Sequence, residues 1–332
     1  MKVGIISFAH GHAHGNAHCL AQLPNVELAA IADDDETRLR DSVAQYGGDA
    51  CTDYRVLLAR DDVEAVLITS ANGEHREHVV AAAEANKHVL CEKPIATTCA
   101  DGLAMVAACR EHNVKFQTAF PVRFSAPAVN LRRLVREGAV GTPLAVKATN
   151  PGRYPGGWFG DSVLAGGGAV MDHTVHVADL LRWIFDAEIT RVYAEIDTRF
   201  HPGLPVDDVA TVMMTLSNGL IASLDPSWSR PKTWPTWGGL TMDVIGDGGV
   251  ISMDAFSQNL QLVEDRGPSH LSVPWAPGGD LAMIRGFVDA IRNDTEPPVT
   301  GEDGLRAMEV ALCAYESARR REPVACPDGL SG

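Results

Sequence analysis

Asp172, His176 and Asp179 recur at i, i+4 and i+7, a spacing that sets a carboxylate, an imidazole and a second carboxylate along one helix face. Imidazole titrates near neutrality, so His176 can take a proton and give it back, which makes it the candidate general acid/base. Asp172 would hold a substrate hydroxyl or orient the imidazole, and Asp179 would make a supporting bond inside the domain. A purely structural Asp/His pair stays open. Val177, Leu180, Leu181 and Ile184 fall on an adjacent face suited to core packing. Far upstream, Lys93 in Glu92-Lys93-Pro94 is the other ionisable candidate.

A second cluster lies near the start: His10-Gly11-His12-Ala13-His14, then His18. A His-x-His at the end of a first strand begins the zinc site of many barrel-type amidohydrolases, and this gives the alternative reading of a metal-dependent hydrolase. That fold needs eight strand–helix units with later ligands. The second half of the chain does not supply them, so no metal is expected, and His10 or His12 would instead line a nicotinamide pocket.

The same segment runs from a strand straight into a helix, where a dinucleotide diphosphate sits at the start of a parallel sheet. Ser7-Phe8-Ala9-His10-Gly11-His12 replaces the usual GxGxxG: Ser7 and Ala9 are small, but His12 takes the third glycine position. Asp33 ends the second strand, where a carboxylate accepts the ribose diol of NAD and repels the additional phosphate of NADP. A solvated Asp-Asp-Asp turn that caps the next helix is the other reading of that residue.

The elements that must position these groups follow from periodicity. Apolar runs at 2–8, 26–32, 63–70, 87–91 and 114–120 read as strands, with helices at 13–23, 74–85 and from Thr98, where Thr98 and Asp101 have capping-box spacing. Strands separated by helices imply parallel pairing, hence a doubly wound sheet of Rossmann type over 1–121. After a helix at 126–137 the strands follow one another at 144–149, 190–197, 210–216, 220–225, 240–245, 250–254 and 260–264, with Asn218-Gly219 as a hairpin signal. This predicts an α+β domain with a large, mostly antiparallel sheet over 122–332, closed by helices at 281–292 and 304–319. The fold class is therefore α/β.

Composition narrows the partners. The chain has 332 residues, 45% hydrophobic and 21% charged, with a formal net charge of -15. That charge repels phosphate backbones and anionic lipid, so neither nucleic acid nor membrane is an expected partner. No apolar run is long enough to cross a bilayer, and the opening reads as a strand rather than a signal peptide. The seven cysteines lack CxxC pairing, which suits free thiols in the cytoplasm.

Three segments carry a resemblance. Ile68-Thr69-Ser70-Ala71-Asn72-Gly73-Glu74-His75, Lys87-His88-Val89-Leu90-Cys91-Glu92-Lys93-Pro94, and Ala165-Gly166-Gly167-Gly168-Ala169-Val170-Met171-Asp172-His173-Thr174-Val175-His176-Val177-Ala178-Asp179 resemble the Gfo/Idh/MocA family of glucose–fructose oxidoreductase and inositol dehydrogenase relatives. Thr300-Gly301-Glu302-Asp303-Gly304 and Ser317 also fit, so the resemblance spans nearly the whole chain. Ala71 stands where the family has proline, and His173-Thr174 where many relatives carry an apolar residue and glycine.

The resemblance implies an NAD-dependent dehydrogenase, with NADP less favoured, acting on a secondary hydroxyl of a sugar, polyol or glycoside. It implies that Lys93 reaches the reacting hydroxyl, where its charge would stabilise a developing alkoxide. Cofactor contacts are expected from Ser7, Phe8, Ala9, His10, His12, Asp33, Thr69, Ser70, Asn72, His75, Glu92, Lys93 and Pro94. Substrate contacts are expected from Lys93, Arg123, Arg153, Trp158, Asp172, His173 and His176, although Arg123 and Arg153 also suit a solvated surface. Trp158, Trp228, Trp234 and Trp237 lie in Pro/Gly-rich segments; they would face sugar rings or pack a subunit interface. A homodimer or homotetramer is expected by resemblance. A catalytically silent NAD- and sugar-binding regulator is the third reading, disfavoured because it has no chemical need for Lys93, Asp172 and His176 together.

Overall fold

The computed structural model describes residues 1–234, 236–257, 259–262, 271–274 and 278–326. The chain forms two compact units, Met1–Pro121 with Asp280–Leu305, and Val122–Gly279 with Arg306 onward.

The first unit begins with β1 (Lys2–Ile6), α1 (His12–Leu20), β2 (Glu27–Ala32), α2 (Glu36–Tyr46), β3 (Asp49–Cys51) and α3 (Tyr54–Leu58). It continues through β4 (Ala65–Ile68), α4 (His75–Glu84), β5 (His88–Cys91), α5 (Cys99–Glu111) and β6 (Phe116–Thr118). The six strands are parallel in the order β3-β2-β1-β4-β5-β6, the doubly wound arrangement of dinucleotide-binding sheets. Helices on both faces explain why every residue of β4 is buried and why its sequence shows no alternation. The expected strands and helices are present. The chain between 33 and 62 adds β3, which had no sequence signal. An eight-unit barrel, which the hydrolase reading required, is incompatible with this open sheet.

The second unit contains α6 (Ala126–Arg136), β7 (Pro143–Thr149), α7 (Ser162–Ala165), α8 (Ala169–Phe185), β8 (Ile189–Asp197), β9 (Val209–Leu216) and β10 (Ile221–Asp225). Then come β11 (Thr241–Gly246), β12 (Gly249–Asp254), β13 (Asn259–Leu262) and β14 (Leu271–Pro274). The last elements of the chain are α9 (Gly279–Arg292), α10 (Gly301–Arg320) and β15 (Val324–Ala325). Seven strands form one sheet in the order β12-β11-β7-β10-β9-β8-β15, antiparallel except where β7 and β10 run together. Buried and exposed residues alternate along β9, as in a sheet covered on one face. Asn218-Gly219 does form the β9–β10 hairpin, with Gly219 at φ 87°. Of the strand expected at 260–264, the last two residues lie outside the described residues.

One boundary differs from the expected division at 121. Asp280–Leu305 belongs with the first unit, because it covers the β6 edge. Gln117 bridges Thr300, the Gln117 side-chain amide donates to the Met283 carbonyl at 3.2 Å, and Thr118 Oγ1 donates to the Thr300 carbonyl at 3.0 Å. A Cβ on Gly301 would run into the Phe116 ring, so glycine permits the close approach. Helical periodicity marks an apolar face but not the layer it will cover.

Candidate active site

In the first unit the strand–turn–helix after β1 is built without glycine at its first position. Ser7 holds φ 69°, a left-handed value that costs a non-glycine residue about 1–2 kcal/mol. Its surroundings fix it there. Ser7 N–H donates to the Ala32 carbonyl at 2.7 Å, Ser7 Oγ accepts the Ala9 N–H at 3.1 Å, and Thr69 Oγ1 donates to the Ser7 carbonyl at 2.5 Å. Serine thus replaces glycine by exchanging backbone freedom for a hydrogen-bonded turn.

Asp33 is drawn into the same turn. One carboxylate oxygen accepts the Phe8 N–H at 2.7 Å, and Arg38 approaches through Nε and Nη2 at 2.8–3.1 Å. Beside it a pocket of about 400 Å³ is lined by Ser7 and by the carboxylates of Asp33, Asp34, Asp53, Glu74 and Glu77. Arg55 and His78 also line it. Phe8 itself points into the core, 5.8 Å from the Tyr46 ring.

Several residues expected at the cofactor have enclosed side chains. Thr69 and Ser70 are fully enclosed; Thr69 braces Ser7, and Ser70 Oγ pairs with His78 Nδ1 at 2.9 Å. The His75 side chain is also fully buried, with Nδ1 3.0 Å from the Pro94 carbonyl and Nε2 3.2 Å from the Ser70 carbonyl. Burial depresses its pKa. His75 ties the segment after β4 to the Glu92-Lys93-Pro94 segment. Asn72 is buried as well.

Beyond β5, Glu92 and Lys93 are 1% and 2% exposed, and Lys93-Pro94 is a cis peptide. Glu92 Oε2 lies 3.2 Å from His12 Nδ1. Burial disfavours charge on both, but their mutual attraction prevails: His12 is raised, and Glu92 is held well below the usual carboxylate range, with His10 and Lys93 adding to the pull. His10 is buried beside them and its Nδ1 accepts the His12 N–H at 3.1 Å.

The second unit presents the other chemical groups on α8. The N–H groups at the start of this helix, which a helix leaves unpaired, are all taken up. Asp207 accepts Gly168 and Val170 N–H at 2.9 and 2.8 Å through its carboxylate and Ala169 N–H at 3.0 Å through its carbonyl. The Tyr315 hydroxyl accepts Gly168 and Met171 N–H at 3.0 and 3.2 Å and donates to Asp207 at 2.6 Å. Burial raises the Asp207 pKa against these bonds and pushes Tyr315 well above the ordinary phenol value. A Cβ on Gly168 would overlap the Asp207 carbonyl oxygen, and one on Gly167 the Tyr315 hydroxyl, which accounts for the glycine run.

Asp172 and His176 follow one turn apart, 4% and 7% exposed. Asp172 Oδ2 accepts the Trp228 indole N–H at 3.2 Å. His173 Nε2 stands 3.1 Å from the same oxygen, an ion-pair distance rather than an aligned hydrogen bond, while His173 Nδ1 donates to the Pro226 carbonyl at 2.8 Å. His173, expected at the substrate, is 0% exposed and lies beside Asp172.

Arg123 also departs from expectation. It is buried and donates through Nε to Asp179 at 3.0 Å and through Nη2 to the other oxygen, so it holds α8. The supporting role expected of Asp179 is met by this pair. Trp228 is 1% exposed, packed with Ala169, Val206 and Tyr154, and is no sugar platform. Trp158 stacks on Phe159 at 3.9 Å; Trp234 and Trp237 remain 39% and 41% exposed. Arg153 reaches the Lys232 carbonyl at 3.3 Å. Sequence reasoning missed Trp228 as the Asp172 partner, and it missed Asp207, Tyr315 and Arg38. Only Arg38, one helical turn past Asp33-Asp34-Asp35, carried a local signal.

A turn of this kind on a sheet of this order is the architecture of a dinucleotide-binding domain. Residues 1–120 match the family model described as an oxidoreductase family with an NAD-binding Rossmann fold, and residues 128–252 match the GFO/IDH/MocA C-terminal domain. The chain belongs to the Gfo/Idh/MocA oxidoreductase family. Among curated relatives it is similar to myo-inositol 2-dehydrogenase of Thermotoga maritima, 28% identical over 98% of each chain. Similarity to inositol 2-dehydrogenase of Acidothermus cellulolyticus is 29%, over 99% of this chain and 96% of that one. Among solved structures, an oxidoreductase domain protein from Kribbella flavida is 25% identical and superposes with a TM-score of 0.85, covering 98% of this chain and 99% of the other.

Proposed function

We propose that this protein oxidises a secondary hydroxyl of a sugar, polyol or glycoside with NAD as the preferred acceptor. Relatives named inositol 2-dehydrogenase and D-apiose dehydrogenase support the substrate class. The observation that carries the cofactor preference is the carboxylate-lined pocket beside Ser7 and Asp33. An additional 2′-phosphate would meet Asp33, Asp34, Asp53, Glu74 and Glu77 there, whereas a ribose diol can donate to them.

The residues fit the group they would hold: a strand–turn–helix whose first residue is already left-handed, with a carboxylate at the end of β2. Bound NAD supplies the hydride acceptor. Lys93 stabilises the negative charge that grows on the substrate oxygen, and His176 takes the hydroxyl proton as the carbonyl forms. Asp172, held by the Trp228 indole, orients the substrate hydroxyl or the imidazole. The reverse direction returns the proton from the His176 imidazolium.

The outer face of the seven-stranded sheet is our choice for a subunit contact, giving a homodimer or homotetramer. Ile221, Ala145, Ile245 and Val250 align across four strands there, and three of them are 40–60% exposed. No helix among the described residues is long and apolar enough to cross a membrane, and the seven cysteines are free thiols, which supports a cytoplasmic location.

The test is a screen of sugars, inositols and glycosides with NAD and with NADP, reading reduced cofactor by absorbance. Lys93→Ala and His176→Ala should each cut turnover severely and leave NAD affinity within about an order of magnitude. Wild-type rates in both variants refute the assignment. Binding of NAD without turnover on any substrate would favour the silent regulator.

A further inference from the structure

His10, His12 and Glu92 lie in the segments expected to meet the cofactor, and the reaction proposed above gives none of them a proton to carry. We propose that His10, His12 and Glu92 form a binding site for one divalent transition-metal ion of the zinc, cobalt and nickel class. One donor atom from each residue lies within 4.8 Å of the other two. His12 Nδ1 and Glu92 Oε2 are separated by 3.2 Å. Two ligands on a tetrahedral ion with bonds of roughly 2.0–2.1 Å sit about that far apart.

The donors are pre-placed. Glu92 is 1% exposed and His10 4%, so neither carries the mobility of a surface side chain. His10 N–H donates to the Thr69 carbonyl and Glu92 N–H to the Ile68 carbonyl, both at 3.0 Å, which anchors the ligands to β4. Asn16 Nδ2 approaches the second oxygen of Glu92 at 3.5 Å, an outer partner of the kind that orients metal carboxylates. His12 is 48% exposed, so an ion can reach the cluster from solvent.

Donor chemistry selects the metal. Two imidazoles and one carboxylate suit zinc, cobalt and nickel; magnesium and calcium demand oxygen ligands. A His₂Glu set also leaves a coordination position open. Ligation replaces the direct His12 Nδ1–Glu92 Oε2 contact and, where His10 binds through Nδ1, the His12 backbone N–H bond to it, with three metal–ligand bonds.

The test uses the full chain, freed of cofactor and of metal with a chelator, so its outcome is independent of the dehydrogenase reading. Cobalt(II) is titrated in and read by its visible d–d absorption, and zinc is then titrated by calorimetry. The expected result is one cobalt per chain, displaced by zinc. His12→Ala, at a half-exposed ring, and Glu92→Gln, each checked for folding by thermal melting, should weaken affinity by more than the 10–100-fold typical of outer-shell changes. His14→Ala and His18→Ala, at neighbouring exposed histidines, should bind as wild type. Absence of saturable one-to-one binding, affinity that survives both His12→Ala and Glu92→Gln, or affinity lost with His14 or His18 overturns the proposal.

Discussion

The indole N–H of Trp228 donates to Oδ2 of Asp172 at 3.2 Å, linking a fully buried aromatic ring after β10 to the proposed catalytic face of α8. Trp228→Phe keeps the packing and deletes the donor. A hydrogen bond to a charged acceptor contributes about 1.5–3 kcal/mol, so kcat/KM should fall roughly 10- to 150-fold. Steady-state kinetics on the best polyol substrate, with thermal melting as the folding control, checks this. Unchanged kinetics would mean that Asp172 needs no such support.

Arg123 and Asp179 make a different prediction, about stability. Arg123→Met strands a carboxylate that is 1% exposed, which should lower unfolding free energy by about 3–5 kcal/mol. Arg123→Met with Asp179→Leu removes both charges and should recover most of that loss. Urea titrations of the two variants decide; equal destabilisation in both would argue against a buried ion pair as the cause.

Asp33 should set cofactor choice. Asp33→Ser takes away the diol acceptor and one negative charge from the pocket, while Arg38, left with only the more exposed Asp34 and Asp35, becomes more available to a phosphate. KM for NAD should rise at least about tenfold and NADP should become a usable acceptor. Parallel kinetics with the two cofactors test it; a proportional loss with both would show only a damaged turn.

The clamp at the start of α8 should be sensitive to one oxygen atom. Tyr315→Phe leaves Gly168 and Met171 N–H without that acceptor and Asp207 without its donor. Stability should drop by about 1–3 kcal/mol, and the pH–rate profile should change as α8 loosens. Gly168→Ala should be worse, since its Cβ meets backbone rather than a flexible side chain. Melting temperatures that rank Gly168→Ala below Tyr315→Phe below wild type would bear this out.

Acid should unfold the first unit partly through His78. Burial, with the neighbouring His75 adding to it, pushes this imidazole down from 6.5 to about 4. The unfolded chain therefore takes up the proton first as pH falls. The stability linked to His78 is fully present above about pH 6.5 and drains away towards pH 4, up to roughly 3 kcal/mol. His78→Gln should flatten the stability–pH slope across that window in urea titrations; an unaltered slope would place the acid sensitivity elsewhere.

The layered architecture was legible because burial on both faces of the parallel strands and on one face of the antiparallel ones leaves different periodicities in the sequence. β3 was not, since three residues at a sheet edge carry no pattern. Lys93, Asp172 and His176 were singled out by motifs; whether a polar residue is enclosed by its neighbours was not legible. His75, His173 and Arg123 are ligand-like in type yet enclosed, and burial is decided by segments remote in the chain. Trp228 and Tyr315 reach α8 from 56 and 147 residues away, a relationship that no local spacing encodes.

The return of Asp280–Leu305 to the first unit bears on how such proteins can be recombined. A truncated gene ending at residue 121 would encode a sheet whose β6 edge lacks Thr300, Gly301 and Met283, leaving backbone and an aromatic ring bare. Chimeras between relatives must therefore exchange both stretches together, and an isolated nucleotide-binding half would require the downstream piece to be spliced on or added in trans.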